Sequence, residues 1–256
     1  MLKNKHKRFR WSTRLAYAVG LITSDGNLSR DQRHISFVSK NVELVQTFQK
    51  ALGLHHKIQR RARGGERAKK YFYVDFSNKM LYAFLTAIGL TPAKSKTIRS
   101  VLVPEKFFAD FLRGLFDGDG TFYSYYDTRW PNSFAFRLSL ASASLHFIHW
   151  LKNKLTQLYK VKGFIHQGAG VYNLEYTKGD SRILITKMYH RGRLLFFAQK
   201  QYKISQALIK DKKFGLIKLQ KQRRASSAVE RCPEEAGVPS STLGPGIIFF
   251  AAMVKW

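Results

Sequence analysis

Two stretches of the chain repeat nearly the same sequence, and this repeat limits the possible folds more than any other feature. Residues 18–26 read AVGLITSDG and residues 112–120 read LRGLFDGDG. At one constant offset, the inner glycine, the aspartate and the closing glycine of one stretch align with those of the other. Because the repeat occurs once in each half, the sequence predicts an internal pseudo-dimer and not a solenoid of many short units.

Each copy has the pattern of a buried helix that packs closely on a partner helix. Positions four apart share one helical face, and in both copies this face carries small residues. The face consists of Ala16, Gly20 and Ser24 in the first copy and of Asp110, Gly114 and Gly118 in the second. Small residues at this spacing let two backbones approach, so we expect Ala16, Gly20, Gly114 and Gly118 to form a helix interface. Gly26 and Gly120 are predicted to end the helices in the left-handed conformation.

Asp25 and Asp119 are unusual residues for the ends of two such helices. Each places a negative charge at a helix carboxyl end, where the macrodipole is already negative. Packing the helices together brings the two carboxylates close, which raises a pKa unless a cation lies between them. A hard divalent metal with oxygen ligands removes this conflict. The alternative is that each Asp-Gly pair is an ordinary turn, but two matched copies make this interpretation weaker.

The pattern after each motif helix predicts the same order of elements twice. Alternating apolar residues indicate strands, and a period near 3.6 indicates helices. In the first half, we predict helices at 13–25, 42–52 and 79–88 and strands near 28, 35–39, 57–61 and 71–77. In the second half, we predict helices at 105–119, 144–158 and 180–190 and strands at 121–126, 134–141, 162–167 and 171–177. The fold class is therefore α+β, with two αββαββα repeats that form a saddle of two antiparallel sheets around a central helix pair.

This order divides the chain into five segments. They are a basic N-terminal arm (1–10), the first repeat (11–90), a linker (91–104), the second repeat (105–210) and a basic, disordered tail (211–256). Strand alternation alone selects residues for the polar face of the two sheets. These candidates for contact with a partner are Ser36, Lys57, Gln59, Arg61, Tyr71, Tyr73, Tyr123, Tyr125, Arg137 and Ser139.

Charge indicates the class of partner. The chain has 45 Lys and Arg against 16 Asp and Glu, a net charge of +29, which favours a polyanion. Nucleic acid is the first choice and an anionic membrane surface the second, so the residues on the polar face of the sheets are predicted to face DNA. No apolar run approaches the roughly 20 residues that span a bilayer, and the single Cys232 excludes intrachain disulfides and Cys-rich zinc sites. We expect a soluble intracellular protein of a bacterial or archaeal cytoplasm, or of an organelle.

The two repeated motifs, residues 18–26 and 112–120, resemble those of the LAGLIDADG homing endonucleases in their single-chain, two-motif form. The resemblance covers about residues 11–210. It includes both motifs and the surrounding stretches 11–17 (WSTRLAY), 90–97 (LTPAKSKT) and 111–113 (FLR).

The resemblance implies a site-specific nuclease that cuts both strands of DNA across the minor groove and leaves short 3′ overhangs. It implies that Asp25 and Asp119 bind Mg²⁺ or Mn²⁺, which activates water and stabilises the leaving oxygen. The backbone carbonyls of Ser24 and Gly118 are expected as further metal ligands. The partner would be double-stranded DNA with a long asymmetric target, and the protein an intron-encoded monomer.

Lys40 matches the family's basic residue beside the scissile phosphate, where a cation stabilises developing negative charge. An ordinary surface lysine is the alternative. The corresponding stretch of the second half, residues 140–144 (LASAS), contains no lysine. That half is therefore expected to use a substitute from Lys94, Lys96 or Lys178, to cut more slowly, or to be impaired.

Two other functions stay open. Some relatives of this fold are intron RNA maturases or DNA-binding proteins that do not cut, and the basic tail would suit RNA. The intact Asp25 and Asp119 favour the nuclease. The membrane-binding alternative lacks a basic amphipathic helix with a broad apolar face.

Overall fold

The computed structural model describes residues 9–62, 68–128, 133–168, 170–190 and 192–229. The chain divides into two units, Met1–Phe214 and Gly215–Trp256. The predicted basic arm lies outside the described residues except for Phe9 and Arg10, and so does the tail beyond Val229.

The first half follows the order expected from its hydrophobic pattern. Its elements are α1 (Thr13–Asp25), β1 (Gly26–Leu28), β2 (His34–Ser39), α2 (Val42–Leu52), β3 (Gln59–Arg61), β4 (Tyr71–Ser77) and α3 (Lys79–Ala87). The four strands form an antiparallel sheet in the order β1-β2-β4-β3. Ser12 caps α1 as predicted, because its hydroxyl accepts a hydrogen bond from the backbone N–H of Leu15 at 3.1 Å.

The second half repeats this topology. After a single 3₁₀ turn (Glu105–Phe107) come α4 (Phe108–Asp119), β5 (Gly120–Tyr126), β6 (Phe134–Ser142), α5 (Leu145–Tyr159), β7 (Phe164–Gln167), β8 (Tyr172–Tyr176) and α6 (Lys178–Met188). Its strands pair antiparallel in the order β5-β6-β8-β7, which corresponds strand by strand to the first sheet. The predicted α+β class with two four-stranded sheets is confirmed.

Strand register separates a buried face from an open face in each sheet. In the first sheet Ser36 lies opposite Asp75, and the neighbouring Phe37 and Val74 point into the core. In the second sheet Ser139 lies opposite Glu175, at the matched position. Because side chains alternate along a strand, the helices cover one face of each sheet and polar side chains line the other.

The closing glycines of the motifs differ from the prediction. Gly26 has φ −81° and ψ 152°, and Gly120 has φ −78° and ψ 151°, so neither is left-handed. The prediction was wrong because each glycine is already the first residue of a strand. Space explains the residue type, since a Cβ on Gly26 would lie 2.6 Å from Ile22 Cα and one on Gly120 would lie 2.7 Å from Phe116 Cα.

The predicted disordered tail is also partly wrong. Helix α7 spans Ala198–Val229, so residues 211–229 are helical. Within the first unit, Asp211 pairs with Lys178 and Arg182 of α6, which ties the first turns of α7 to the second half. The pattern concealed this helix because its polar residues surround it and leave no clear apolar stripe. Among the helices of the described residues, none is both long and apolar enough to span a bilayer.

Candidate active site

Helices α1 and α4 meet through backbone contacts at their glycines. A Cβ on Gly20 would lie 2.6 Å from the backbone nitrogen of Leu115, and one on Gly114 would lie 3.1 Å from Gly20 Cα. Ala16 on the same helix is fully buried. The structure thus brings the two motif helices together where the small residues lie, and no larger side chain fits between them.

This contact continues to the ends of the two helices, where the motif aspartates lie. A Cβ on Gly118 would lie 2.6 Å from Ser24 Cβ and 2.8 Å from Oδ2 of Asp25. The Asp25 carboxylate therefore lies against the residue that precedes Asp119. A cavity of about 210 Å³ opens beside Asp119 and is lined from both halves, including Thr23, Ser24 and Ser142. The ends of both motifs therefore line one cleft, through Ser24 of the first and Asp119 of the second.

Two lysines neutralise this acidic pair. Lys94 is only 5% exposed, and its Nζ donates a hydrogen bond to the carbonyl oxygen of Gly26. Lys200 of α7 donates to the equivalent carbonyl of Gly120 at 2.6 Å. The carbonyls of Phe116, Asp117 and Gly118 also lie 2.7, 2.9 and 3.0 Å from Nζ, so at least one of the three N–H groups is shared between two acceptors. Each motif helix thus has one ammonium group at its negative end, where such a charge is most favourable.

Electrostatics couple these four charged groups. Burial raises the pKa of Asp119, while the charges of Lys200 and Lys94 lower it. Burial lowers the pKa of Lys94 to about 8, and the charges of Asp25 and Asp119 oppose this shift. Burial likewise lowers the pKa of Lys200, against the charges of Asp117, Asp25 and Asp119. The two lysines and the two aspartates therefore act on one another through their charges, and a bound cation would add to the positive charge near both aspartates.

The donor set fits a hard divalent cation in part. The described residues contain no cluster of three or more His, Cys, Asp or Glu side chains that could hold a metal. A cation here would rest on the carboxylates of Asp25 and Asp119, with water, carbonyl or phosphate oxygens completing the shell, as suits Mg²⁺. Of the two carbonyls expected as ligands, that of Gly118 accepts a hydrogen bond from Lys200. The other expected ligand was the carbonyl of Ser24. The hydroxyl of this residue donates a hydrogen bond to the carbonyl of Leu21 in the same helix at 3.0 Å.

Lys40 lies elsewhere on the first half. It follows β2, is exposed, and its Nζ lies 5.4 Å from the centroid of the Tyr71 ring. Lys94 was one of three lysines expected to replace the counterpart of Lys40 that the second half lacks, but it contacts Gly26 of the first motif. Lys200 was missed, because it lies in α7, which follows the last helix of the αββαββα order. No sequence signal pointed to it, since the described residues of the first half contain no counterpart of this helix.

Asp117 stands where the first motif has Thr23, and the structure gives the two residues different tasks. Thr23 donates a hydrogen bond to the carbonyl of Val19, one turn back. Asp117 is fully buried, and its Oδ2 accepts from the Tyr17 hydroxyl at 2.7 Å and from the Phe197 N–H at 2.8 Å. Burial raises the pKa of Asp117 to about 6. The difference therefore concerns anchoring: Asp117 joins α1, α4 and the start of α7, which carries Lys200.

Comparison with known proteins finds one matching family model, over the first half of the chain. A profile described as LAGLIDADG-like domain matches residues 12–89. The match covers the first repeat, which is thus similar in sequence to LAGLIDADG-like domains. No curated protein sequence matches the chain.

Solved structures show the LAGLIDADG fold for both halves. The homing endonuclease I-WcaI bound to its DNA recognition sequence is 13% identical, covers 79% of this chain and 94% of its own, and has a TM-score of 0.51. A double mutant of I-SmaMI is 14% identical, covers 82% of this chain and 96% of its own, and has a TM-score of 0.52. The full-length DUF199/WhiA protein from Thermatoga maritima is 13% identical, covers 87% of this chain and 72% of its own, and has a TM-score of 0.49.

The open faces of the two LAGLIDADG sheets carry the predicted DNA-facing residues. In the first sheet, the Tyr73 hydroxyl donates to Gln59 Oε1 at 2.6 Å, and the Arg61 guanidinium lies 5.2 Å from the Tyr73 ring centroid. Ser36 and Tyr71 are half-buried there, and Lys57 is exposed just before β3. In the second sheet, Tyr123 is exposed and Tyr125 and Arg137 are half-buried. Ser139 is only 8% exposed, so it offers less surface than alternation alone indicated.

Proposed function

We propose that this protein is a site-specific, metal-dependent endonuclease that cuts both strands of a long asymmetric DNA duplex and leaves short 3′ overhangs, as an intron-encoded homing enzyme. The observation that carries this proposal is the pairing of Asp25 and Asp119 at the ends of two helices in backbone contact. Two neighbouring carboxylates at the ends of packed helices, with Lys94 and Lys200 close by, do not serve to hold the helices together, which the glycine contacts already do. The LAGLIDADG fold and the net charge of +29 support a DNA substrate.

The two sheets provide the surface that binds DNA. Their open faces combine aromatic rings and cations, and strands of this kind can enter the major groove, where base edges are distinguishable. Lysines and arginines elsewhere would contact phosphates and fix the register of the duplex. One chain contains both sheets, so a monomer suffices to bind an asymmetric site.

The chemistry rests on the four charged residues at the helix ends. Bound Mg²⁺ or Mn²⁺ would supply an activated water and a stabilised leaving oxygen. Asp25 and Asp119 would hold the metal ions. Lys94 and Lys200, each already at one motif, would stabilise the negative charge that develops on the phosphate. Each strand then has its own ammonium group, and the second half needs no counterpart of Lys40.

A cleavage selection tests the proposed function. The protein is incubated with a randomised duplex library in Mg²⁺ or in EDTA, and ends with 3′ overhangs are captured and sequenced. We expect cutting of both strands at one long sequence, and only with the metal. Duplex enrichment without cutting would instead indicate a DNA-binding relative. Binding of the intron RNA with no duplex enrichment would indicate a maturase.

Removing either central lysine should slow the cutting of one strand more than the other. In K94M or K200M, the developing charge on one phosphate loses its nearest cation, and we expect about a hundredfold slower cleavage of that strand. Nicked duplex should therefore accumulate, with opposite strands intact in the two variants, as measured by end-labelled strands on denaturing gels.

K96M and K40M complete this test. Lys96 is exposed two residues from Lys94, so K96M removes the same charge nearby and should cut both strands at the normal rate. If K40M produced the nicks and K200M did not, the assignment of the cations would be reversed.

A further inference from the structure

The open face of the second sheet carries a carboxylate, which is unusual on a surface proposed to bind DNA. The chain has only 16 acidic residues, and a surface that binds DNA phosphates disfavours each of them. Glu175 nevertheless lies on this face of β8, opposite Ser139, with its side chain 16% exposed. A carboxylate here would repel phosphates, so we expect it to interact with neighbouring side chains or with a base.

Glu175 is the centre of a bonded cluster on three strands. Its Oε2 accepts a hydrogen bond from the Tyr123 hydroxyl at 2.6 Å, and its Oε1 pairs with Nη1 of Arg137. Nε of Arg137 donates to the Tyr125 hydroxyl at 3.2 Å. The rings of Tyr123 and Tyr125 are stacked, with centroids 6.1 Å apart. The guanidinium plane is therefore fixed from two sides before any ligand binds.

The charges of this cluster support a fixed ion pair. Burial alone would raise the pKa of Glu175, but the hydrogen bonds from Tyr123 and Arg137 lower it below the ordinary value. Burial and the bond to Glu175 raise the pKa of Tyr123 to about 12. The carboxylate thus stays ionised and the phenol stays protonated at neutral pH, so the pair as a whole carries no net charge.

A neutral pair with an oriented guanidinium suits a base edge better than a phosphate. The bonds to Glu175 and Tyr125 use two of the five N–H groups of Arg137, which leaves three, including both on Nη2, for a ligand. Guanine presents two acceptors, O6 and N7, in the major groove, and bidentate contact from arginine is the commonest specific contact there. A phosphate would be repelled by the adjacent Glu175 carboxylate.

We propose that Arg137, held in place by Glu175 and Tyr125, recognises one guanine in the half-site that the second sheet binds. This inference rests on the proposed DNA-binding function and names a specificity-determining residue within it. The first sheet offers no equivalent among the described residues. Asp75 occupies the position of Glu175, but His34, at the position of Arg137, pairs with Asp31. The two half-sites should therefore differ at this base pair.

A binding selection without metal tests the inference separately from cleavage. The full chain in EDTA is incubated with a randomised duplex library, and the bound duplexes are sequenced for the wild type, R137K and E175Q. The wild type should prefer guanine about tenfold or more at one position of one half-site. R137K keeps the charge but loses the fork, so this preference should fall to about twofold or less while overall affinity is largely kept. E175Q should reduce the preference at least threefold, because Arg137 loses its fixed orientation.

D75N is the matched control, since it removes an acid at the equivalent position of the first sheet and should leave the guanine preference unchanged. Thermal unfolding checks that each variant is folded. If R137K does not fold, E175Q still tests the inference. Unchanged guanine preference in R137K or in folded E175Q would overturn the inference while leaving DNA binding intact. A wild type that selects no duplex would overturn the proposed function as well.

Discussion

Replacing Asp25 and Asp119 together by asparagine is expected to abolish metal-dependent cleavage, by about a thousandfold or more. Asparagine has nearly the same shape as aspartate, but it offers a neutral amide in place of a carboxylate. The variant would therefore lose the carboxylates of both motif ends. The measurement is the single-turnover cutting rate of a selected target in Mg²⁺, with binding to the same duplex measured in EDTA.

The double variant D25N/D119N should keep its fold and its DNA affinity. Burial raises the pKa of Asp119, but Lys94 and Lys200 lose the opposing charges of the aspartates, so thermal unfolding checks that the variant is folded before its activity is compared. E105Q supplies the matched control, because Glu105 is an exposed acid outside both sheets, paired with Lys154 at 2.7 Å, and this variant should cut normally. If D25N/D119N nicked duplexes at the wild-type rate, the aspartates could not be the metal ligands.

Regular alternation made much of the fold predictable. Val42–Leu52 and Tyr71–Ser77 begin and end at the predicted residues, because a helical or a two-residue period runs through each without interruption. The motif repeat in turn gave the pseudo-dimer. Features that depend on distant residues were not predictable: α7 has no apolar stripe, and the extended conformation of Gly26 follows from the strand that begins there.

The candidate site was predictable only as far as its repeated residues. Asp25 and Asp119 stand out because identical settings recur at one offset, and the structure places both motif ends in one cleft. Lys200 has no repeated counterpart to mark it, since it lies 81 positions after Asp119 in the sequence and the structure describes no matching helix in the first half. The Arg137–Glu175 pair was equally hidden, because alternation gives the face of a side chain and not its partner.

Substituting alanine for Gly20 is expected to destabilise the protein by about 3 kcal/mol, the upper part of the range for overpacked cores. An added Cβ would lie 2.6 Å from the backbone nitrogen of Leu115 and still closer to the carbonyl oxygen of Phe111. Both are backbone atoms of α4, so no side-chain rotation relieves the clash and the helices must separate. G114A should behave alike, because its Cβ would meet the carbonyl of Tyr17. Urea unfolding followed by circular dichroism measures the free energy of unfolding.

The sign of this effect separates the helix contact from helix propensity. In a free helix, glycine to alanine adds roughly 1 kcal/mol of stability, so a loss in G20A can only come from the packing of α1 on α4. G179A is the matched control in α6, where a Cβ meets nothing within 4 Å, and it should stabilise by about 0.4–1 kcal/mol. Separated helices would also move Asp25 away from Asp119, so whatever G20A remains folded should cut poorly. A G20A protein as stable and as active as the wild type would mean that the two motif helices do not touch through their glycines.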